Sequence, residues 1–365
     1  MRYRAMLDAF EPYGWEPSTE QIAASLGIRP DKILRMDLNT SPVAPIASLR
    51  AISKKVTKIK VNLYPDTSYS GLRRDISDYT SHDADSIIPT NGADEAIDIV
   101  SRIFLEKGVE ALASVPTYSY FRIASELQGA KYIGVPRLEG FEDNIDDLLS
   151  SINRNTGLVL LCSPNNPTGN LTPLKTVENL CRETESSIVV DEAYFEYCGV
   201  TAQPLLEKFS NLIIIRTLSK AFGLASARIG YILACAETVR LINKARPPNS
   251  LGAINIELAR HALRHRDYMR RAVRDIVNER ERLRGYLSRM EGLEVYPSHA
   301  NFLLIRFKNL DANRVYEELL RRGIVVRNLS QNPLTRGCLR VTLGLKKQNE
   351  RLLTALKSIL EFLGR

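Results

Sequence analysis

Lys220, in the middle third of this 365-residue chain, stands where an amine can be made reactive. It follows the run NLIIIRTLS, whose apolar block from Leu212 to Ile215 has the composition of a strand buried on both faces. Small side chains come next (Ala221, Gly223, Ala225, Ser226, Ala227), and then Arg228. A lysine boxed in at a strand end by hydroxyls and small residues loses hydration, which favours its neutral form. That form is the nucleophile that condenses with a carbonyl. Thr217, Ser219 and Arg228 add two hydroxyls and a guanidinium, donors that suit a phosphate dianion. Taken alone, the pattern would also describe a surface lysine in a loop between a strand and a helix.

Other stretches hold polar groups at comparable positions. In VVDEAY, Asp191 closes an apolar run, and an unpaired acid buried there would be costly. Glu192 beside it has no evident task. In CSPNNPTG, an apolar run ends in two asparagines held between prolines, and Gly169 permits the turn. In TNGADE, Gly92 and Ala93 sit at a turn that opens a helix, where backbone N–H groups bind phosphate. A plain tight turn would look the same. Tyr118 in VPTYSYF is either a core tyrosine or an exposed ring after a strand. Arg327 and Arg340, thirteen positions apart after strand-like segments, could face one cleft, and a bidentate guanidinium suits a carboxylate or a phosphate. His261 and His265 share a helix face, but HALRH lacks the glutamate of a metalloprotease helix, and no metal site is expected.

These residues need a scaffold that brings strand ends together. From about Pro45 the chain alternates helical patterns with short apolar blocks: IIPT, ALASVP, KYIGVPR, LVLLCSP, SIVVDEAY, NLIIIRTLS and ARIGYILA. Such alternation predicts an α/β fold with a mostly parallel sheet wrapped by helices, and such sheets place their sites at strand carboxyl ends. Residues 1–40 read as an N-terminal arm, with a short helix capped at Ser18 or Thr19 and stopped at Gly27. A large domain is expected over 41–248, ending where Pro247 and Pro248 break any helix. The rest, 249–365, reads as a long helical region from about Asn255 to Met290 leading into a smaller α+β unit. Its strands are LEVYPS, NFLLIRF, GIVVRN and CLRVTLG.

Composition narrows the function classes. Hydrophobic content of 44% and charged content of 25% are ordinary for a soluble enzyme. The opening lacks the apolar core of a signal peptide, and no apolar run reaches membrane-spanning length. Five scattered cysteines suit reduced thiols in a cytoplasm. The net charge of +8 is densest between Arg260 and Arg289, where acids interleave at helical spacing. That describes a solvated helix laced with ion pairs rather than a nucleic-acid surface. Only about forty residues precede the sheet pattern, too few for the winged helix of a regulator built on a similar scaffold.

The string SKAFGLASARIG resembles the pyridoxal-phosphate lysine motif of class I and II aminotransferases, and within them the histidinol-phosphate aminotransferases. The likeness continues through the arm, NLYPD, TNGADE, PTY, SPNNPTG, DEAY and the arginine pair, in that order. The resemblance implies the fold-type I architecture and a pyridoxal 5′-phosphate cofactor condensed with Lys220. It implies a phosphate cradle of Gly92, Ala93, Asp94, Thr217, Ser219 and Arg228. Tyr118 would stack on the cofactor ring, Asn166 and Tyr194 would contact its phenolic oxygen, and Asp191 would pair with its ring nitrogen. Tyr64 would reach the cofactor phosphate of the neighbouring subunit, which implies a homodimer. Arg327 and Arg340, with Tyr13 and Asn39 of the arm, would hold substrate. The expected reaction exchanges an amino group between L-histidinol phosphate and 2-oxoglutarate; the alternatives are a threonine-phosphate decarboxylase and an aromatic aminotransferase. Two departures lie near the substrate: Asn39-Thr40-Ser41-Pro42 replaces the usual N-E-N-P, and RPPNSLG lacks the aromatic residue that often follows the prolines.

Overall fold

The computed structural model of the chain describes residues 1–8, 10–14 and 16–363. In chain order its strands are β1 (Leu34–Met36), β2 (Ile87–Thr90), β3 (Glu110–Val115), β4 (Lys131–Pro136), β5 (Thr156–Cys162) and β6 (Ser187–Asp191). They continue with β7 (Leu212–Thr217), β8 (Gly230–Ala234), β9 (Leu293–Val295), β10 (Phe302–Phe307), β11 (Ile324–Asn328) and β12 (Cys338–Thr342). A seven-stranded sheet has the order β2-β8-β7-β6-β5-β3-β4, and a five-stranded sheet the order β1-β11-β12-β10-β9.

In the larger sheet β4, β3, β5, β6 and β7 run parallel, and β8 lies antiparallel between β7 and β2. Its central strands are covered on both sides. Val159, Leu161, Ile188, Val190 and Ile214 enter one apolar core, while Leu158, Leu160, Val189, Ile213 and Ile215 enter another. Neighbouring residues of a strand point to opposite faces, so burial of both faces demands the unbroken apolar runs seen in the sequence. The helix Gly92–Phe104 covers one face through Ala96, Ile97, Ile99 and Val100. Its amino end therefore lies just past the carboxyl end of β2.

The arm is tied to the smaller sheet. Its helix Thr19–Leu26 has the anticipated start and stop: Ser18 and Gln21 cap reciprocally, and Gly27 closes it at φ 65°. β1 then pairs parallel with β11, Leu34 against Ile324 and Met36 against Val326. The expected helical region from Asn255 to Met290 divides into Ala253–Arg264 and Asp267–Leu287, parted at His265 and Arg266. The two pieces serve different partners. The first packs on the helices Ile46–Ser53 and Ser70–Thr80, where Arg260 and Arg264 both reach Asp75 at 2.8 and 2.7 Å. The second runs beside β9 and β10 and carries the anticipated exposed ion pairs, such as Arg284 to Glu281 at 3.1 Å.

Candidate active site

A cavity of about 340 Å³ opens where the carboxyl ends of the larger sheet face the smaller one. Its walls hold Ala93, Asp94, Tyr118, Asn166, Asp191, Tyr194, Thr217, Ser219, Lys220 and Arg228 from the larger sheet. Tyr13 and Asn39 come from the arm side, and Arg327 and Arg340 from the smaller sheet. Residues separated by more than three hundred positions thus share one pocket.

At its floor lie an acid and an amine with opposed electrostatics. Asp191 ends β6 and is only 3% exposed, and one carboxylate oxygen accepts from the Ala193 backbone N–H at 3.0 Å. Burial pushes its carboxyl up to about 7. Lys220 follows the end of β7, the neighbouring strand, and its Nζ donates to the Leu38 carbonyl at 3.3 Å. Desolvation, then the Arg340 charge, brings the Lys220 amine down to about 8. The Asp191 carboxylate and the Lys220 ammonium stabilise each other. A carboxyl and an amine both shifted toward neutrality in one cleft mark a place of proton chemistry.

The expected cradle forms beside them. Gly92 opens the helix at φ +80°, and a Cβ there would meet Arg228 Nη2 at 2.5 Å. Arg228 is itself left-handed at φ 52° and pairs with Asp94 at 2.7 Å. Asp94 also accepts from the Tyr118 hydroxyl at 2.8 Å. The Thr217 hydroxyl donates to the Ser219 hydroxyl at 2.9 Å. The arrangement collects a helix amino end, two hydroxyls and a guanidinium around one corner, as an anion requires.

On the opposite wall the arginines stand within strands rather than after them. Arg327 on β11 is the direct register partner of Arg340 on β12, which is why both face the cleft. The Arg340 guanidinium donates to the Asn166 side-chain oxygen and the Asp37 carbonyl, and its Nε has no hydrogen-bond partner among the described residues. Asn39 is buried, held by Thr342 at 2.9 and 3.0 Å, and its amide donates to the Tyr194 hydroxyl at 3.0 Å. It orients Tyr194 as well as lining the pocket.

Tyr64 does not join this group: it is 83% exposed and outside the cavity wall of its own chain. Three contributors went unread in the sequence. Glu16 of the arm lines the cavity and pairs with Arg327. The Leu38 carbonyl, a main-chain group, receives Lys220. Glu192 pairs with Arg216 at 2.9 Å and accepts from Thr201 and Ala202 at 2.8 and 2.6 Å, a buried cluster that links the strand ends bearing Asp191 and Lys220. The two asparagines of the proline loop also divide their work. Asn165 is fully buried and braces the loop on Thr117, Pro116 and Thr168 at 2.8, 2.9 and 2.7 Å, leaving Asn166 for the cavity.

Residues 32–356 match the family described as aminotransferase class I and II, a span that includes most of this wall. The chain belongs to that family. This aminotransferase is 37% identical over 328 residues to the histidinol-phosphate aminotransferase of Caldanaerobacter subterraneus, covering 89% of the chain and 93% of that relative. It is 33% identical over 366 residues to the histidinol-phosphate aminotransferase of Methanocaldococcus jannaschii, 98% of each being covered. Among solved structures, the histidinol-phosphate aminotransferase of Sinorhizobium meliloti in complex with pyridoxal 5′-phosphate superposes with a TM-score of 0.88. The two are 26% identical over 99% of this chain and 98% of that one. The cavity suits such a cofactor. It offers an amine brought down to about 8, a buried carboxylate with no cationic hydrogen-bond partner among the described residues, and an anion-shaped corner.

Proposed function

We propose that this aminotransferase moves an amino group between L-histidinol phosphate and 2-oxoglutarate with pyridoxal 5′-phosphate as cofactor. The observation that carries the reading is the joint placement of Lys220, Asp191 and the Arg327–Arg340 pair around one cavity. Relatives of that name at 33–37% identity support the substrate. When bound, pyridoxal phosphate supplies an aldehyde that takes up the amino group and a ring that accepts the electron pair of the broken C–H bond.

The chain's own residues would divide the remaining work. Lys220 Nζ, its amine brought down to about 8, would take the proton from the amine-bearing carbon of the donor and deliver it to the carbon that was the cofactor's aldehyde. Asp191, ionised once it faces a cation, would hold a proton on the cofactor ring nitrogen. Asn166 and Tyr194 would orient the ring through its phenolic oxygen, and Tyr118 would cover its face. The corner of Gly92, Ala93, Asp94, Thr217, Ser219 and Arg228 would take the cofactor phosphate. Arg327 and Arg340, with Tyr13 beside them, would hold the substrate phosphate in one half-reaction and a carboxylate of 2-oxoglutarate in the other.

Tyr64 would complete the cofactor site of a second copy, which makes the working unit a homodimer; its outward placement supports this. Residues 1–40 would act as an arm, 41–248 as the cofactor domain and 249–365 as the partner domain that carries the arginine pair. No helix among the described residues is long and apolar enough to cross a membrane. We place the reaction in the cytoplasm, a reading the five unpaired cysteines support.

The test combines purified protein, cofactor and 2-oxoglutarate with histidinol phosphate, threonine phosphate or tyrosine. Glutamate is expected with the first donor. Glutamate formed with tyrosine alone, or carbon dioxide released from threonine phosphate, would overturn the substrate assignment.

A further inference from the structure

The substrate wall contains a charge that the reaction does not use. Arg327 and Arg340 are directly opposed on antiparallel strands, an arrangement in which like charges repel. Asp37 attracts Arg340 through space, but its carboxylate is bound to Arg35, which holds both oxygens at 2.8 and 2.6 Å. Among the described residues, the Arg340 guanidinium donates to a carbonyl and an amide oxygen and to no carboxylate. The negative charge comes from the arm: the Glu16 carboxylate contacts the Arg327 guanidinium, and both side chains are partly exposed at the cavity mouth, 28% for Glu16 and 30% for Arg327.

The arm is fastened on either side of this contact. Arg35 donates to the Pro17 carbonyl at 3.1 Å, and the Ser18 capping box follows immediately. Upstream, Arg122 donates to the Glu11 carbonyl at 3.4 Å. Glu16 is therefore presented to the arginine pair by a strap anchored to both the larger and the smaller sheet regions.

We propose that Glu16 is an internal competitor for the substrate-anion subsite: it neutralises Arg327 in the ligand-free enzyme and yields that guanidinium to an incoming phosphate or carboxylate. The inference rests on Arg327 and Arg340 being the anion subsite. Its consequence is a built-in threshold on binding. Every anionic substrate must first replace a tethered carboxylate, and a dianion does so more readily than a monoanion because its attraction to the two cations is larger. The arm thereby weakens retention of anionic product as well as substrate.

Calorimetric titration of inorganic phosphate into the cofactor-loaded protein tests this, since the cofactor then fills its own phosphate corner. Glu16→Gln is expected to bind phosphate about 3-fold more tightly than the parent, the range of a partly exposed ion pair. Arg327→Gln should bind it more weakly, and adding Glu16→Gln to Arg327→Gln should change nothing further. Unchanged or weaker binding by Glu16→Gln, with Arg327→Gln still weakened, would show Glu16 to be an anchor for the arm and end the proposal. If Arg327→Gln binds phosphate as the parent does, the subsite assignment itself fails and takes the competitor with it.

Discussion

Asp191 destabilises the cofactor-free protein because its carboxyl is buried. Its carboxyl rises from the ordinary 3.8 to about 7 through burial, so the unfolded chain ionises first as pH increases. The group's folded pKa is raised, so the penalty is absent below the unfolded pKa and grows as pH climbs from about 4 to about 7. The full cost is about 4 kcal/mol, since each tenfold change in proton affinity is worth about 1.4 kcal/mol. Cofactor-free Asp191→Asn should accordingly melt higher than the cofactor-free parent at about pH 8, and the difference should vanish near pH 4. Thermal melts across that range check it; a difference that persists unchanged at the acid end would contradict the burial argument. Asp191 and Lys220 were both readable as residues, because a strand-ending acid and a strand-following lysine have few reasons to be there. Glu16 was not readable, since one more acid in a polar arm carries no signal until Arg327 is placed against it.

At the scale of elements, the turn from β2 into the helix Gly92–Phe104 decides the shape of the anion corner. Gly92 sits at φ +80° with Arg228 Nη2 where a methyl would go, and a Cβ on Gly230 would meet the Gly92 carbonyl carbon at 2.5 Å. The helix start and β8 are thus packed backbone to backbone. Gly92→Ala adds a left-handed strain and displaces the guanidinium together. Cofactor affinity, followed by visible absorbance on titration, should fall on the order of 10-fold. An unchanged affinity would remove this turn from the cofactor site. The glycine turn was visible in TNGADE, whereas its fit against Gly230, well over a hundred positions later, depends on β8 lying beside β2.

For the whole molecule, the two sheets converge on one cavity, and the exposed loop leading into the Ser70–Thr80 helix stays outside its walls. Val61, Leu63 and Tyr64 are 71%, 56% and 83% exposed, an apolar group that water alone would not favour. With a second copy as its cover, light scattering at micromolar concentration should give the mass of a dimer. Leu63→Asp should shift that mass toward the monomer and weaken cofactor binding in parallel. Tyr64→Phe should keep the dimer yet bind cofactor several-fold more weakly, as for one lost hydrogen bond to a charged group. A monomeric parent with full cofactor affinity would dispose of the shared-site reading.

The chain's order of apolar runs, turn residues and polar strand ends was enough to specify an α/β scaffold and to mark Lys220, Asp191, the asparagine pair of the proline loop and the glycine turn at Gly92. Those features are local: burial of a strand on both faces, or a glycine at a helix start, leaves its imprint within a few residues. Tertiary structure alone decided that the two arginines are direct register partners, that Asn165 braces the loop from beneath, and that an arm carboxylate sits on Arg327. Those are pairings across tens to hundreds of positions, set by strand register and by packing between sheets, and neither composition nor spacing encodes them.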